Sequence, residues 1–200
     1  MKVSIGRDNR WNPRPLYLFG TFKEDGTPDF GLFCWFSYAW TDGLAAMACI
    51  GENKLTLERI KANRVFSANL VTEKTLALAD YFGAVNGYDP EKMSIPVAWE
   101  KGETLNVPIL TDCAVAHELE VRELIPLNDE GSTVILCDVR NTLVDPLLAE
   151  EGVPSEEKLR QLAPVVTAGD YEYWGWGGQR LGTWHGLAKQ IRADAKIQGQ

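Results

Sequence analysis

The stretch Gly51-Glu52-Asn53-Lys54-Leu55-Thr56 gathers an amide, an ammonium and a hydroxyl where the hydrophobic pattern changes its period. Small apolar residues run from Leu44 to Ile50 and stop at Gly51, and helical spacing begins by Leu57. A strand therefore ends here and a helix starts, with Asn53 read as its N-cap. The first N–H groups of a helix have no partner inside it, and its dipole favours an anion. Asn53, Lys54 and Thr56 add donors and a positive charge in the first turn, which suits a phosphate. Glu52 opposes that unless it turns away. The bland alternative is an ordinary capped helix start with a solvated lysine.

Other familiar chemistries lack their residues. No G-x-G-x-x-G, P-loop or G-x-S-x-G occurs, and the run Gly175-Trp176-Gly177-Gly178 has the wrong spacing for a dinucleotide loop. The 2 histidines, His117 and His185, stand far apart, which argues against a His-based triad or a zinc site. His117 falls in an alternating strand and reads as structural. The 4 cysteines at 34, 49, 113 and 137 form no CxxC pair. No catalytic side chain and no metal ligand set is expected.

The elements that would position the first-turn site read as mostly β. Leu16 to Lys23 is a strand, Glu24-Asp25-Gly26-Thr27 a hairpin turn, and Asp29 to Ala39 the next strand. Its even positions, Phe30, Leu32, Cys34, Phe36 and Tyr38, are apolar, so Trp35 falls on the other face. Leu44 to Ile50 follows a turn at Thr41-Asp42-Gly43, and a helix spans about Lys54 to Ala62. A strand from Val65 to Val71 and a helix from Lys74 to Phe82 come next. Gly83 to Asn106 reads as irregular, with a single helical turn after Asp89-Pro90. Val115 to Ile125 and Ser132 to Val144 form a hairpin around Asn128-Asp129-Glu130-Gly131, and Ser155 to Leu162 is a short helix. The order is not a repeating βαβ, so a mainly β (α+β) barrel with short peripheral helices is expected.

Composition narrows the function classes. With 200 residues, 45% of them hydrophobic, the chain is long enough for one domain over 1–200 with a full core. A formal net charge of −8 and scattered basic residues argue against nucleic acid. No apolar run approaches the roughly 20 residues of a membrane span. Arg7-Asp8-Asn9-Arg10 stands where an export signal would be apolar, so the expected address is the cytoplasm and the thiols are expected to be reduced. The 7 tryptophans and 6 tyrosines fit either a large aromatic core or a stacking surface for a flat ligand.

Several segments, taken in order, carry a resemblance. Phe33-Cys34-Trp35-Phe36-Ser37, Asn53-Lys54-Leu55-Thr56-Leu57-Glu58-Arg59-Ile60 and Phe66-Ser67-Ala68-Asn69-Leu70-Val71 are the first three. Asn86-Gly87-Tyr88-Asp89-Pro90-Glu91-Lys92-Met93 and Glu156-Glu157-Lys158-Leu159-Arg160, followed by Tyr173-Trp174-Gly175, complete the set. Together they resemble the flavin reductase-like FMN-binding proteins with a split-barrel fold, on their flavoredoxin-like side. The first resembles that family's flavin-contacting strand, the second its phosphate-side helix, the third its F-x-V-N-L strand and the fourth its G-x-x-x-D-K-F loop.

The resemblance implies non-covalently bound FMN and a homodimer with the flavin near the subunit interface. It assigns flavin contact to Phe33, Cys34, Trp35, Phe36 and Ser37, with Trp35 offering an aromatic face and Ser37 a polar contact. It assigns the phosphate to Asn53, Lys54 and Thr56, and a further cofactor contact to Lys92, whose spacing from Asp89 fits the loop. The flavin carries the redox chemistry, so no protein acid or base is required. Two roles follow: a reductase taking hydride from NADH or NADPH, or an electron carrier docking on a redox partner protein. A barrel binding some non-flavin ligand without enzymatic activity is the alternative class.

Overall fold

The computed structural model describes residues 1–51, 54–129, 131–170 and 172–177. Asn53, and the end of the aromatic tail through Trp184 and His185, lie outside the described residues.

Chain order gives β1 (Arg14–Pro15), β2 (Tyr17–Phe22), β3 (Pro28–Phe33), β4 (Phe36–Trp40), β5 (Leu44–Ile50), α1 (Leu55–Asn63) and β6 (Val65–Leu70). A 3-10 turn (Glu73–Thr75) leads into α2 (Leu76–Ala84). Then come β7 (Trp99–Lys101), β8 (Pro108–Leu110), β9 (Val115–Pro126), β10 (Thr133–Val144), α3 (Pro146–Ala149), α4 (Ser155–Leu162), β11 (Val165–Ala168) and β12 (Glu172–Gly175).

The main sheet has 7 strands in the order β3-β2-β6-β9-β10-β5-β4, every pair antiparallel. Its two edge strands, β3 and β4, are consecutive in the chain and joined only by Cys34 and Trp35. A sheet whose opposite edges are tied by so short a link has to curl until they meet, which makes a barrel split between β3 and β4. The expected single strand from Asp29 to Ala39 is therefore two, paired to different neighbours: β3 to β2, and β4 to β5.

Two cores result. Inside the barrel, Phe19, Phe36, Phe66, Leu119 and Ile135 pack with Leu57 and Ile60 of α1, and Ala46 and Ala48 leave them room. On the other side of β2 and β3, Leu18 and Phe30 pack with Ala79 and Phe82 of α2. β2 is buried on both faces for this reason, and simple alternation fails there. Phe30 and Phe36, expected on one face of one strand, lie in different cores because the chain turns between them.

The region read as irregular contains the hairpin β7–β8, and Lys92 closes a turn on the Asp89 carbonyl rather than a helix. Among the described residues, no helix is long and apolar enough to cross a membrane.

Candidate functional site

α1 begins at Leu55, one residue after the expected start, so Lys54 and not Asn53 takes the N-cap position. Lys54 is extended and no side-chain hydrogen bond caps it. Thr56, in the first turn, is buried and faces a cleft of about 290 Å³ that Lys54, Gly31, Phe33 and Lys92 also line, with the loop Gly83–Gly87 as the far wall. β3 supplies one wall, α1 the second, and the end of α2 with its following loop the third.

A second hollow of about 370 Å³ continues from the first, because Leu32, Phe33, Gly83 and Ala84 line both. It runs on past Cys34 and Leu16 to Thr167 of β11 and Tyr173 of β12. Tyr173 is fixed there by donating to Asp80 at 2.6 Å. The result is one trough with lysines and a hydroxyl at one end, and along the rest apolar and aromatic side chains joined by Asp80 and Thr167.

Glycines keep the trough open. A Cβ at Gly31 would lie 2.8 Å from Thr56 Oγ1 and 2.9 Å from the Phe33 ring. One at Gly87 would lie 2.7 Å from Leu55 Cβ. Both distances are below ordinary contact, so side chains at these positions would fill the space a ligand needs.

The charged floor is a pair. Lys92 and Asp29 are only 2% and 0% exposed, with Nζ and Oδ1 3.1 Å apart. Thr56 Oγ1 donates to the other carboxylate oxygen at 3.4 Å. Burial pushes the Asp29 carboxyl up and the Lys92 ammonium down from their ordinary pKa values, and mutual attraction opposes both shifts. Cys34 is also pushed up by burial, with Arg14 opposing, so it is not a poised thiolate.

The structure thus brings Phe33, Cys34, Lys54, Thr56 and Lys92 to one trough. Trp35, Phe36 and Ser37 line neither part of it. Trp35 is 55% exposed beside the trough, with the Arg14 guanidinium 5.6 Å from its ring centre. Phe36 is buried in the barrel core against Tyr17, apart from the side chains that line the trough. Ser37 is exposed on β4 and pairs with Met47. The physical reason is the break at Cys34–Trp35, which turns the chain away from the trough to build the opposite edge strand.

Sequence reasoning missed Asp29 and the contributions of Leu32, Asp80, Gly83 and Thr167 to the trough wall. Asp29 did leave a signal: a carboxylate inside a strand otherwise poor in charge, opposite a turn. Its partner lies too far along the chain for spacing to reveal it.

These features define a class, a split barrel of the flavin-reductase type with a trough at its open edge. A family model described as "Flavin reductase like domain" matches residues 9–162, and the chain belongs to that family. No curated protein matches the sequence. Among solved structures, the flavoredoxin of Desulfovibrio vulgaris (Miyazaki F) is similar at TM-score 0.82 and 22% identity, covering 94% of this chain and 100% of that one. A flavoredoxin from Methanosarcina acetivorans is similar at TM-score 0.81 and 21% identity, covering 96% of this chain and 99% of the other. An FMN-binding protein from Thermus thermophilus follows at TM-score 0.73 and 17% identity, covering 92% of this chain and 100% of that one. At these identities the likeness establishes the fold.

Proposed function

We propose that this one-domain chain is an FMN-binding redox protein, holding the cofactor in the trough with its phosphate at Lys54, Thr56 and Lys92. The observation that carries this reading is the continuity of the two hollows. A cationic, hydroxyl-bearing end suits a phosphate, and the flat apolar run past Leu32 and Phe33 suits an isoalloxazine ring. The Gly31 and Gly87 approaches support it, since each leaves room that a side chain would take. FMN is favoured over a flavin without phosphate because free riboflavin would leave the lysines unused.

When bound, flavin supplies the hydride- and electron-accepting chemistry. The chain's own residues have a simpler task. Lys54 and Thr56 hold one end, Leu32 and Phe33 exclude water from one face, and Gly83 and Ala84 give the opposite wall. No acid or base is asked of the protein.

We read the protein as a homodimer. Trp35, Trp40, Trp174 and Trp176 are all exposed, more aromatic surface than a monomer ordinarily leaves in water. Light scattering at micromolar concentration is expected to give twice the chain mass. The four cysteines are free, which agrees with a reducing compartment, and the cytoplasm is the location we propose.

The absorption spectrum of the purified protein tests the cofactor. A yellow protein with a flavin spectrum supports the reading, and a colourless one that does not take up added FMN overturns it in favour of a non-flavin ligand. Rapid bleaching by NADH or NADPH then identifies a reductase. Slow bleaching with fast reduction by a redox partner protein identifies an electron carrier.

A further inference from the structure

We propose that Asp29 is the positioning residue of the phosphate end, its buried carboxylate keeping Lys92 cationic and holding both the ammonium and the Thr56 hydroxyl at the floor of the cleft. The proposal rests on the FMN reading above and adds a residue that touches no ligand itself.

The geometry is specific. Asp29 enters from β3, Thr56 from the first turn of α1 and Lys92 from the loop after α2, so one carboxylate links all three walls. A buried ion pair contributes little net stability, because replacing both partners with apolar residues is often neutral or stabilising. Stability therefore does not explain why the chain buries this one. Position does: both partners of the carboxylate line the cleft.

The contacts leave donors to spare. An ammonium carries three N–H groups. Lys92 Nζ is within ion-pair distance of Asp29 Oδ1, yet that oxygen accepts no aligned hydrogen bond. The Lys92 ammonium also lies over the Phe82 ring, 5.8 Å from the ring centre. The Thr56 contact at 3.4 Å is at the long end of hydrogen bonding, so turning the hydroxyl to an incoming phosphate gives up little.

Asp29 is also the anion that opposes burial at Lys92. Lys23 and Lys54 act on the same ammonium and favour losing its proton. With Asp29 removed, burial and two neighbouring cations would press Lys92 toward the neutral amine, a poor ligand for phosphate.

The test is a pH series of FMN and riboflavin binding to the full chain, read as the ratio of the two affinities from pH 7 to pH 9. The phosphate is a dianion throughout, since its second pKa is about 6. Wild type is expected to prefer FMN by a ratio that stays flat. In Asp29→Asn the ratio is expected to fall with rising pH and to lie about tenfold below that of wild type by pH 9, because Lys92 holds its proton less tightly once its counter-ion is gone. Adding Lys92→Arg is expected to remove the slope, since a guanidinium keeps its charge. A flat, wild-type ratio in Asp29→Asn overturns the proposal while leaving the FMN reading intact. A wild type that does not prefer FMN overturns the reading itself. Where Asp29→Asn fails to fold, wild type labelled with 13C-lysine gives a second measurement. The Lys92 Cε resonance, assigned with Lys92→Arg, is expected to shift as Asp29 takes up its proton in acid, and no shift overturns the proposal.

Discussion

Tyr38 Oη and His117 Nε2 stand 2.7 Å apart across 79 residues of sequence. The contact ties the edge strand β4 to β9 across the end of the barrel, with Tyr17 Oη 3.5 Å from Tyr38 Oη and Thr142 Oγ1 3.0 Å from His117 Nδ1. Burial holds the imidazole down at about 4, so it is neutral in the folded protein at pH 7.

A pH dependence of stability follows. The unfolded chain binds a proton at His117 near pH 6.5, and the folded one only near 4. Between those values the unfolded state holds more protons, so stability falls as pH drops from 6.5 towards 4. The loss is on the order of 3–4 kcal/mol at most, at about 1.4 kcal/mol per pKa unit. Urea unfolding of wild type and His117→Gln at pH 7 and pH 4.5 checks it. The difference between the two proteins is expected to shrink in acid.

Thr56→Ala is expected to weaken FMN binding by roughly 10- to 100-fold, the value of one hydrogen bond to a charged group. Riboflavin, which has no phosphate, is expected to bind the variant as it binds wild type. Titration with both ligands decides it. Equal losses would mean that Thr56 serves only α1 and the carboxylate beneath it.

Gly31→Ala is expected to act differently. The added methyl would press on Thr56 Oγ1 and the Phe33 ring, at the junction of the two hollows. Both FMN and riboflavin should lose about tenfold or more in affinity, the cost of a contact strained by about 1.4 kcal/mol. Unchanged binding of both would place the ligand elsewhere.

Glu118 is 0% exposed and accepts backbone N–H groups from Glu103, Thr104 and Leu105 as well as the Asn141 amide. Glu118→Gln puts an NH2 among donors. The expected loss is roughly 3 kcal/mol of stability, with faster amide exchange at 103–105. Normal exchange there would show that the turn holds without the carboxylate.

Trp35 is expected to sense the cofactor from beside the trough. FMN should quench its fluorescence, and Trp35→Phe should keep less of the quenching than wild type shows. Identical quenching in both proteins would leave Trp35 only as the platform for Arg14.

Much of the frame was legible in the chain. β5 and α4 occur at the residues their patterns mark, and α1 begins within one position of the expected start. The β9–β10 hairpin follows from alternation on either side of an Asn-Asp-Glu-Gly turn. These are local signals, in which hydrogen bonding and side-chain period are set by neighbours in sequence. For the same reason the strand-to-helix junction that offers Lys54 and Thr56 was readable before any fold was known.

What the sequence by itself determined, then, was most of the longer elements and one end of the candidate site. Tertiary structure decided which residues meet. Asp29 finds Lys92 only because β3 packs against α2 and the loop after it. Phe36 lies in the barrel core and not along the trough because the sheet's two edges must close within the span of Cys34 and Trp35. The short hairpin β7–β8 went unread because three-residue strands carry too little alternation to register. Pairing partners, burial and the floor of a cleft depend on contacts between distant segments, and no period within one segment encodes them.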